Sequence, residues 1–175
     1  MTSTVEDTDA TSLCRACGLC CRGVWFSNVE LDEGEVEPAK RIGLNVEFAD
    51  GQAKFHQPCV MHDGNGCTAY QTWRPRRCIE YRCSLLISLD AGEVAFEEAL
   101  QHVANARVMS ERVEKETGTL VGGLRGAEFM DRLEEPTGLN PSKSVSPIAK
   151  LDAVTLRVYF SKYFSVVKPL PKDGV

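Results

Sequence analysis

The second half of the chain has no cysteine. All eight cysteines lie between Cys14 and Cys83, and the 92 residues from Ser84 to Val175 contain none. Eight in 175 is about 4.6 %, short of the roughly 8–10 % of a disulfide-built miniprotein. Long apolar runs are also missing: none approaches the ~18–20 residues a membrane span needs, so no membrane role is expected. The opening stretch, MTSTVEDTDATSL, has neither the basic flank nor the apolar core of a secretory leader. The expected compartment is therefore cytoplasmic, where thiols stay reduced and clustered cysteines bind metal more often than they pair. No long basic run occurs, which argues against nucleic acid as a partner. The Cys-x3-Cys-x2-Cys spacing of radical chemistry, Gly-x-Ser-x-Gly, a Walker loop and His-Glu-x-x-His are all absent, and no catalytic acid, base or nucleophile is named by pattern.

What is present is an ordinary globular composition, 43 % hydrophobic and 26 % charged, on a chain long enough for a real core. Charge is unevenly placed. Val29–Asp50 carries seven acidic residues against two basic ones, whereas Gln71–Cys83 holds Arg74, Arg76, Arg77 and Arg82 against Glu80 alone. The fold class read from the chain is α+β, mainly helical, with cysteine-ligated metal centres beside a small β-hairpin. Its organisation is a disordered N-terminus over residues 1–13, a cysteine-cluster domain over 14–83, and a helical C-terminal part over 84–175 packed on it.

Within that frame, Val24-Trp25-Phe26 reads as a short strand and Leu31–Ile42 as a short helix, with Pro38 in its first turn and Gly43 at its end. Val46-Glu-Phe48 and Ala53-Lys-Phe55 alternate apolar and polar around Asp50-Gly51, the dipeptide of a tight hairpin turn. The hairpin delivers the chain through Pro58 to Cys59, and His62–Gly66 is a turn-rich loop ending at Cys67. Glu93–Glu116 has the strongest helical pattern, with Phe96, Leu100, Val103, Ala106 and Val113 on one face and Gly118 as its stop. A glycine-rich joint at Val121–Gly126, a helix near Ala127–Leu133 and a proline-marked loop from Pro136 to Pro147 follow. Leu151–Val167 reads as a last helix with Leu151, Val154, Val158, Phe160 and Phe164 as its apolar residues and Pro169 closing it.

The chemistry sits in the cysteines. On a helix, Cys14, Cys17, Cys20 and Cys21 would share a sector of about 120°. In a loop, the two-residue spacings also turn successive sulfurs inward. Either way four sulfurs converge, and converging thiolates repel unless a cation holds them. Adjacent Cys20 and Cys21 do not sit comfortably on one tetrahedral ion, so they point to two metals or two irons of one cluster. Cys59, Cys67, Cys78 and Cys83 bring the total to eight, enough for two four-sulfur sites. Zinc and iron–sulfur both suit such donors. Cys14, Cys17 and Cys20 match the first three positions of the bacterial ferredoxin run, but Cys21 follows at once where that run has a cysteine three residues on, before proline.

The pattern Cys14-x2-Cys17-Gly18-x-Cys20-Cys21, Pro58-Cys59, Gly66-Cys67-x2-Tyr70, Arg74-Pro75-x2-Cys78-x2-Tyr81-x-Cys83 resembles the CxxCxxCC cysteine-cluster family, also called YkgJ-like, a zinc- or iron-chelating domain. Similar domains are labelled iron–sulfur proteins, and a flagellin lysine methylase carries a similar cysteine motif. The resemblance spans Cys14–Cys83 and leaves the cysteine-free half outside. It implies metal binding for Cys14, Cys17, Cys20, Cys21, Cys59, Cys67, Cys78 and Cys83, with zinc or iron, including an iron–sulfur cluster, as the cofactor. The family's pattern after Pro-Cys is replaced here by Val60-Met61-His62-Asp63, which makes His62 a candidate substitute ligand, against the commoner reading of a solvent-facing loop histidine.

The arginines around Cys78 either neutralise a thiolate site or form ordinary ion pairs with the acidic segment, and the second reading is the stronger. Tyr70 and Tyr81 would shield the cluster, Trp25 and Trp73 would pack around it, and His56 and His102 read as structural or surface residues. The leading reading is a metal-binding protein. One alternative is an iron–sulfur oxidoreductase or cluster-dependent modifying enzyme. Another is a structural zinc module whose C-terminal helices present a surface to a protein partner.

Overall fold

The computed structural model describes residues 9–118 and 145–165. The expected joint at 121–126, the helix near 127–133, the loop prolines before 145 and Pro169 lie outside the described residues.

Helix α1, Asp9–Cys17, already carries the chain through residues that the sequence assigns to a disordered start. It forms because Ala10 and Leu13 face inward, and Leu13 is almost wholly buried. Val24-Trp25-Phe26 is not a strand. The N–H groups of Gly23 and Val24 close back on the carbonyls of Cys20 and Leu19, so this apolar run is the exit of a turn rather than a partner in a ladder. The strand comes two residues later, as β1, Asn28–Glu30.

A single 3₁₀ turn, Glu33–Glu35, leads into α2, Val36–Arg41. Asp32 and Glu35 form a capping box at its entry. Pro38 falls in the first turn of α2, and Gly43, at φ 94°, ends it. The hairpin is β2, Val46–Ala49, and β3, Gln52–His56, with Ala49 opposite Gln52. Its two-residue turn places Asp50 and Gly51 at φ 53° and 76°, as a type I′ turn requires. β1 pairs with the other edge of β3, Val29 opposite Phe55, giving an antiparallel sheet in the order β1-β3-β2. Leu31, Ala39, Leu44, Ala53 and Phe55 form a small core between this sheet and α2.

Two short helices follow that the sequence reading misses: α3, Arg76–Glu80, and α4, Ser84–Asp90. Helix α5, Phe96–Thr117, runs to Gly118, which adopts φ 67° as its left-handed cap. Its buried line is Ala99, Val103, Ala106, Ser110, Val113 and Thr117, at alternating spacings of four and three. Helix α6, Pro147–Tyr163, starts four residues before the expected point. Pro147 sits in its first turn rather than in a loop, and Ser146 caps it by accepting the N–H of Ala149 at 3.2 Å. Its buried stripe is Ala149, Ala153, Leu156 and Phe160, while Leu151 and Val158, expected on the apolar face, are 67 % and 65 % exposed.

α1, α4, α5 and α6 pack into one larger core that includes Leu19, Val24, Trp25 and Cys83. Trp25 stacks on Phe160 with ring centroids 5.1 Å apart. The described residues thus form two cores, one helical and one built on the sheet; Cys14, Cys17, Cys20 and Cys83 lie in or against the first, and Cys59 and Cys78 against the second. The fold is mainly helical α+β, as the sequence predicts. No helix among the described residues is long and apolar enough to cross a membrane.

Candidate metal centre

The tight N-terminal cysteine run is half helix and half turn. Cys14 and Cys17 lie in the last turn of α1. Gly18 then takes φ 61° and its N–H reaches the Cys14 carbonyl at 3.4 Å. Glycine is demanded twice here, because a Cβ would also stand 2.3 Å from Nε2 of His62. The turn continues with Arg22 N–H on the Gly18 carbonyl, Gly23 N–H on that of Cys20 and Val24 N–H on that of Leu19, whose side chain is anchored in the helical core.

The later cysteines arrive from four directions. Cys59 follows Pro58 at the end of β3 and donates its N–H to the Cys21 carbonyl at 2.8 Å. Cys67 pairs with His62 in an isolated antiparallel bridge. Asp63 closes the loop between them by accepting the N–H groups of Asn65 and Gly66 at 2.8 and 3.0 Å, which holds its carboxyl below the usual carboxylate range. Cys78 is in the middle of α3, and Cys83 immediately precedes α4. All eight are free thiols; Cys83 is buried and the others are half-buried.

Burial dominates their chemistry. It pushes the thiols of Cys17 and Cys78 up to about 12 and those of Cys14, Cys20, Cys21, Cys59 and Cys83 upward as well. Neighbouring sulfurs add to the rise: Cys83 and Cys14 at Cys17, and Cys59, Cys67 and Cys78 at Cys21. Some groups oppose it. The N–H of Leu19 favours the Cys17 thiolate, that of Met61 the Cys59 thiolate, and those of Leu86 and Leu85 the Cys83 thiolate. Three cysteines thus have backbone donors two residues ahead, directed at the sulfur. Among the described residues no three Cys, His, Asp or Glu side chains are arranged as ligands around one ion. Thiols raised this far are protonated at neutral pH, so closing on a cation requires them to lose protons and turn inward.

Arg76 and Arg77 are absorbed by the acidic segment, as the sequence suggests. Nε of Arg76 meets Asp32 at 2.6 Å, its N–H meets Glu35 at 2.5 Å, and Arg77 meets Glu30 at 3.5 Å. Arg82 pairs with Asp90. Arg74 differs. Its guanidinium lies 3.7 Å from the centroid of the Tyr70 ring and favours the thiolates of both Cys14 and Cys78. Tyr70 also hydrogen-bonds Cys14. The Arg74–Tyr70 stack, which spacing alone does not reveal, flanks a cavity of about 270 Å³ lined by Cys14, Cys78, Tyr81 and Arg82 as well.

His62 is not the fully solvent-facing loop residue of the commoner reading. It is half-buried with Nε2 packed against Gly18. Nδ1 accepts the Gly64 N–H at 3.2 Å, which puts the proton of the neutral ring on Nε2. Burial, with Arg22 nearby, lowers its pKa. Tyr81 lines the cavity beside Cys14 and Cys78, stacks edge-on against Phe26 at 5.0 Å and donates to the Phe164 carbonyl at 3.0 Å. Trp25 is in the helical core and Trp73 packs on the sheet core. His56 is exposed and pairs with Glu47 at 2.6 Å, and His102 stacks on Tyr163 at 3.9 Å between α5 and α6.

No curated protein and no solved structure matches the chain. One family model does, over residues 13–116, which is 104 of the 175 residues. The match runs past Cys83 through α4 and nearly all of α5, so the shared pattern takes in the helices that pack on α1 and is not confined to the cysteines. The chain belongs to the CxxCxxCC family, described as a "Putative zinc- or iron-chelating domain".

Proposed function

We propose that the protein binds zinc or iron through cysteine thiolates, with Cys14, Cys17, Cys20, Cys21, Cys59, Cys67, Cys78 and Cys83 as the ligands, and that the metal orders the cysteine turn and the loops beside it. The observation that carries this reading is the position of the thiols. Of the eight free, mostly half-buried thiols, four lie in or against the helical core and two against the sheet core, and backbone N–H groups favour the thiolates of three. Soft sulfur donors in fours suit tetrahedral zinc and iron–sulfur centres alike. Thiolates gathered this closely repel one another unless a cation takes the place of their protons. Free thiols in place of disulfides accord with a reducing, cytoplasmic setting.

Metal and acid-labile sulfide analysis of anaerobically prepared protein tests the reading. Stoichiometric zinc in a colourless protein identifies zinc. Iron with sulfide and charge-transfer absorption identifies an iron–sulfur centre and brings the oxidoreductase or modifying-enzyme reading forward. Cys17→Ser and Cys67→Ser are each expected to lose metal, and full stoichiometry in both would overturn the ligand assignment.

A further inference from the structure

We infer that the eight cysteines form two four-sulfur sites divided at the Cys20–Cys21 bond: Cys14, Cys17, Cys20 and Cys83 in one, and Cys21, Cys59, Cys67 and Cys78 in the other. This rests on the reading of these residues as metal ligands and adds which of them act together.

Two observations carry the division. The first is packing. Cys83 is part of the helical core, and Cys14, Cys17 and Cys20 pack against that same core. Cys59 and Cys78 pack against the sheet core instead. No cysteine is shared between the two.

The second is the backbone. Cys21 is tied to the second group by the hydrogen bond from the Cys59 N–H at 2.8 Å. Cys67 joins through His62, which bridges to it and also donates its N–H to the Cys59 carbonyl at 3.0 Å. The first group is tied separately: Cys14 and Cys17 belong to α1, Cys83 leads into α4, and α1 packs on α4.

The two groups meet at the Cys20–Cys21 bond and at the 270 Å³ cavity, which Cys14, Cys78 and Arg74 line together. A zinc ion with four thiolates carries a net charge of −2, so a cation between two such sites offsets their mutual repulsion.

The test uses the whole wild-type chain, loaded anaerobically with zinc alone. A chelator is added in steps, and at each step the newly exposed thiols are pulse-alkylated and located by peptide mass spectrometry. The expected result is two zinc ions per chain and two labelling groups, with Cys20 joining Cys14, Cys17 and Cys83, and Cys21 joining Cys59, Cys67 and Cys78. Co-labelling of Cys20 and Cys21 with a mixed set, or release of a single zinc that exposes all eight at once, would overturn the division while leaving the cysteines as ligands. A wild-type chain that takes up no zinc and no iron would instead overturn the underlying reading. Paired variants give a second readout. Cys20→Ser/Cys83→Ser and Cys59→Ser/Cys78→Ser should each halve the bound zinc, whereas Cys59→Ser/Cys83→Ser should abolish it. Equal loss in all three, with the far-ultraviolet helical signal kept, would contradict two independent sites.

Discussion

Gly18 and His62 show how single residues hold the cysteine turn. The glycine ends α1 at a positive φ, and the imidazole fills the space its missing side chain leaves. Gly18→Ala should therefore cost about 1–3 kcal/mol from backbone strain, and more from the contact, measured by thermal or urea unfolding. Adding His62→Ala should recover the contact part and leave the strain, so the two changes should couple rather than add. Full additivity would mean that the ring does not press on Gly18. A second residue-scale case is Asp32. The hydrogen bond from Arg76 holds its carboxyl below the ordinary value of 3.8. A depressed carboxyl stabilises the fold above its unfolded pKa, and that contribution is lost as pH falls through the folded one. NMR titration should place Asp32 below 3.8, and Arg76→Gln should return it to the ordinary range. An unmoved titration in Arg76→Gln would sink the assignment. The pair is exposed, so its effect on global stability is small.

At the scale of elements, the packing of α6 on α5 supports the cysteine region from behind. Phe160 is fully buried and touches both Trp25 and Phe164. Phe160→Ala should destabilise by ~3–5 kcal/mol and change Trp25 fluorescence, because the ring it stacks on is gone. Ser146→Ala, which removes only the cap, should cost about 1 kcal/mol and leave that fluorescence alone. The hairpin and α5 were legible in the sequence because each obeys a local rule: Asp50-Gly51 supplies the turn, and α5 has no Gly or Pro across six turns of regular spacing. α3 and α4 were not, since five and seven residues are too few to establish a period. β1 was displaced because the apolar run Val24–Phe26 serves two tertiary contacts, Trp25 on Phe160 and Phe26 on Tyr81, rather than a ladder. On α6 a second apolar stripe, Leu151 and Val158, stood beside the buried one, and periodicity alone does not say which of two stripes faces the core. Among the cysteines, spacing announced a metal site and the adjacency of Cys20 and Cys21 hinted at two. The partners of each depend on long-range packing that no spacing encodes.

For the whole molecule, bound metal is expected to order the cysteine turn and the loops that lie beside the helical core and the sheet core. Ion pairs such as Arg76–Asp32 and Arg22–Glu111 are partly exposed and individually weak. Removing the metal should accordingly raise hydrogen exchange in the turn around Gly18–Val24 and in the Cys59–Cys67 loop well before the centre of α5, whose buried line does not depend on the thiols. Uniform exchange across the cysteine loops and α5 would argue that the metal does not order those loops. The most direct test is the native mass of the anaerobically purified chain before and after chelation. The native mass should exceed that of the bare polypeptide by bound zinc or iron, and the excess should be lost on chelation together with a fall in thermal stability. A chain at its bare polypeptide mass, with a melting temperature that neither chelator nor added zinc or iron changes, would contradict it.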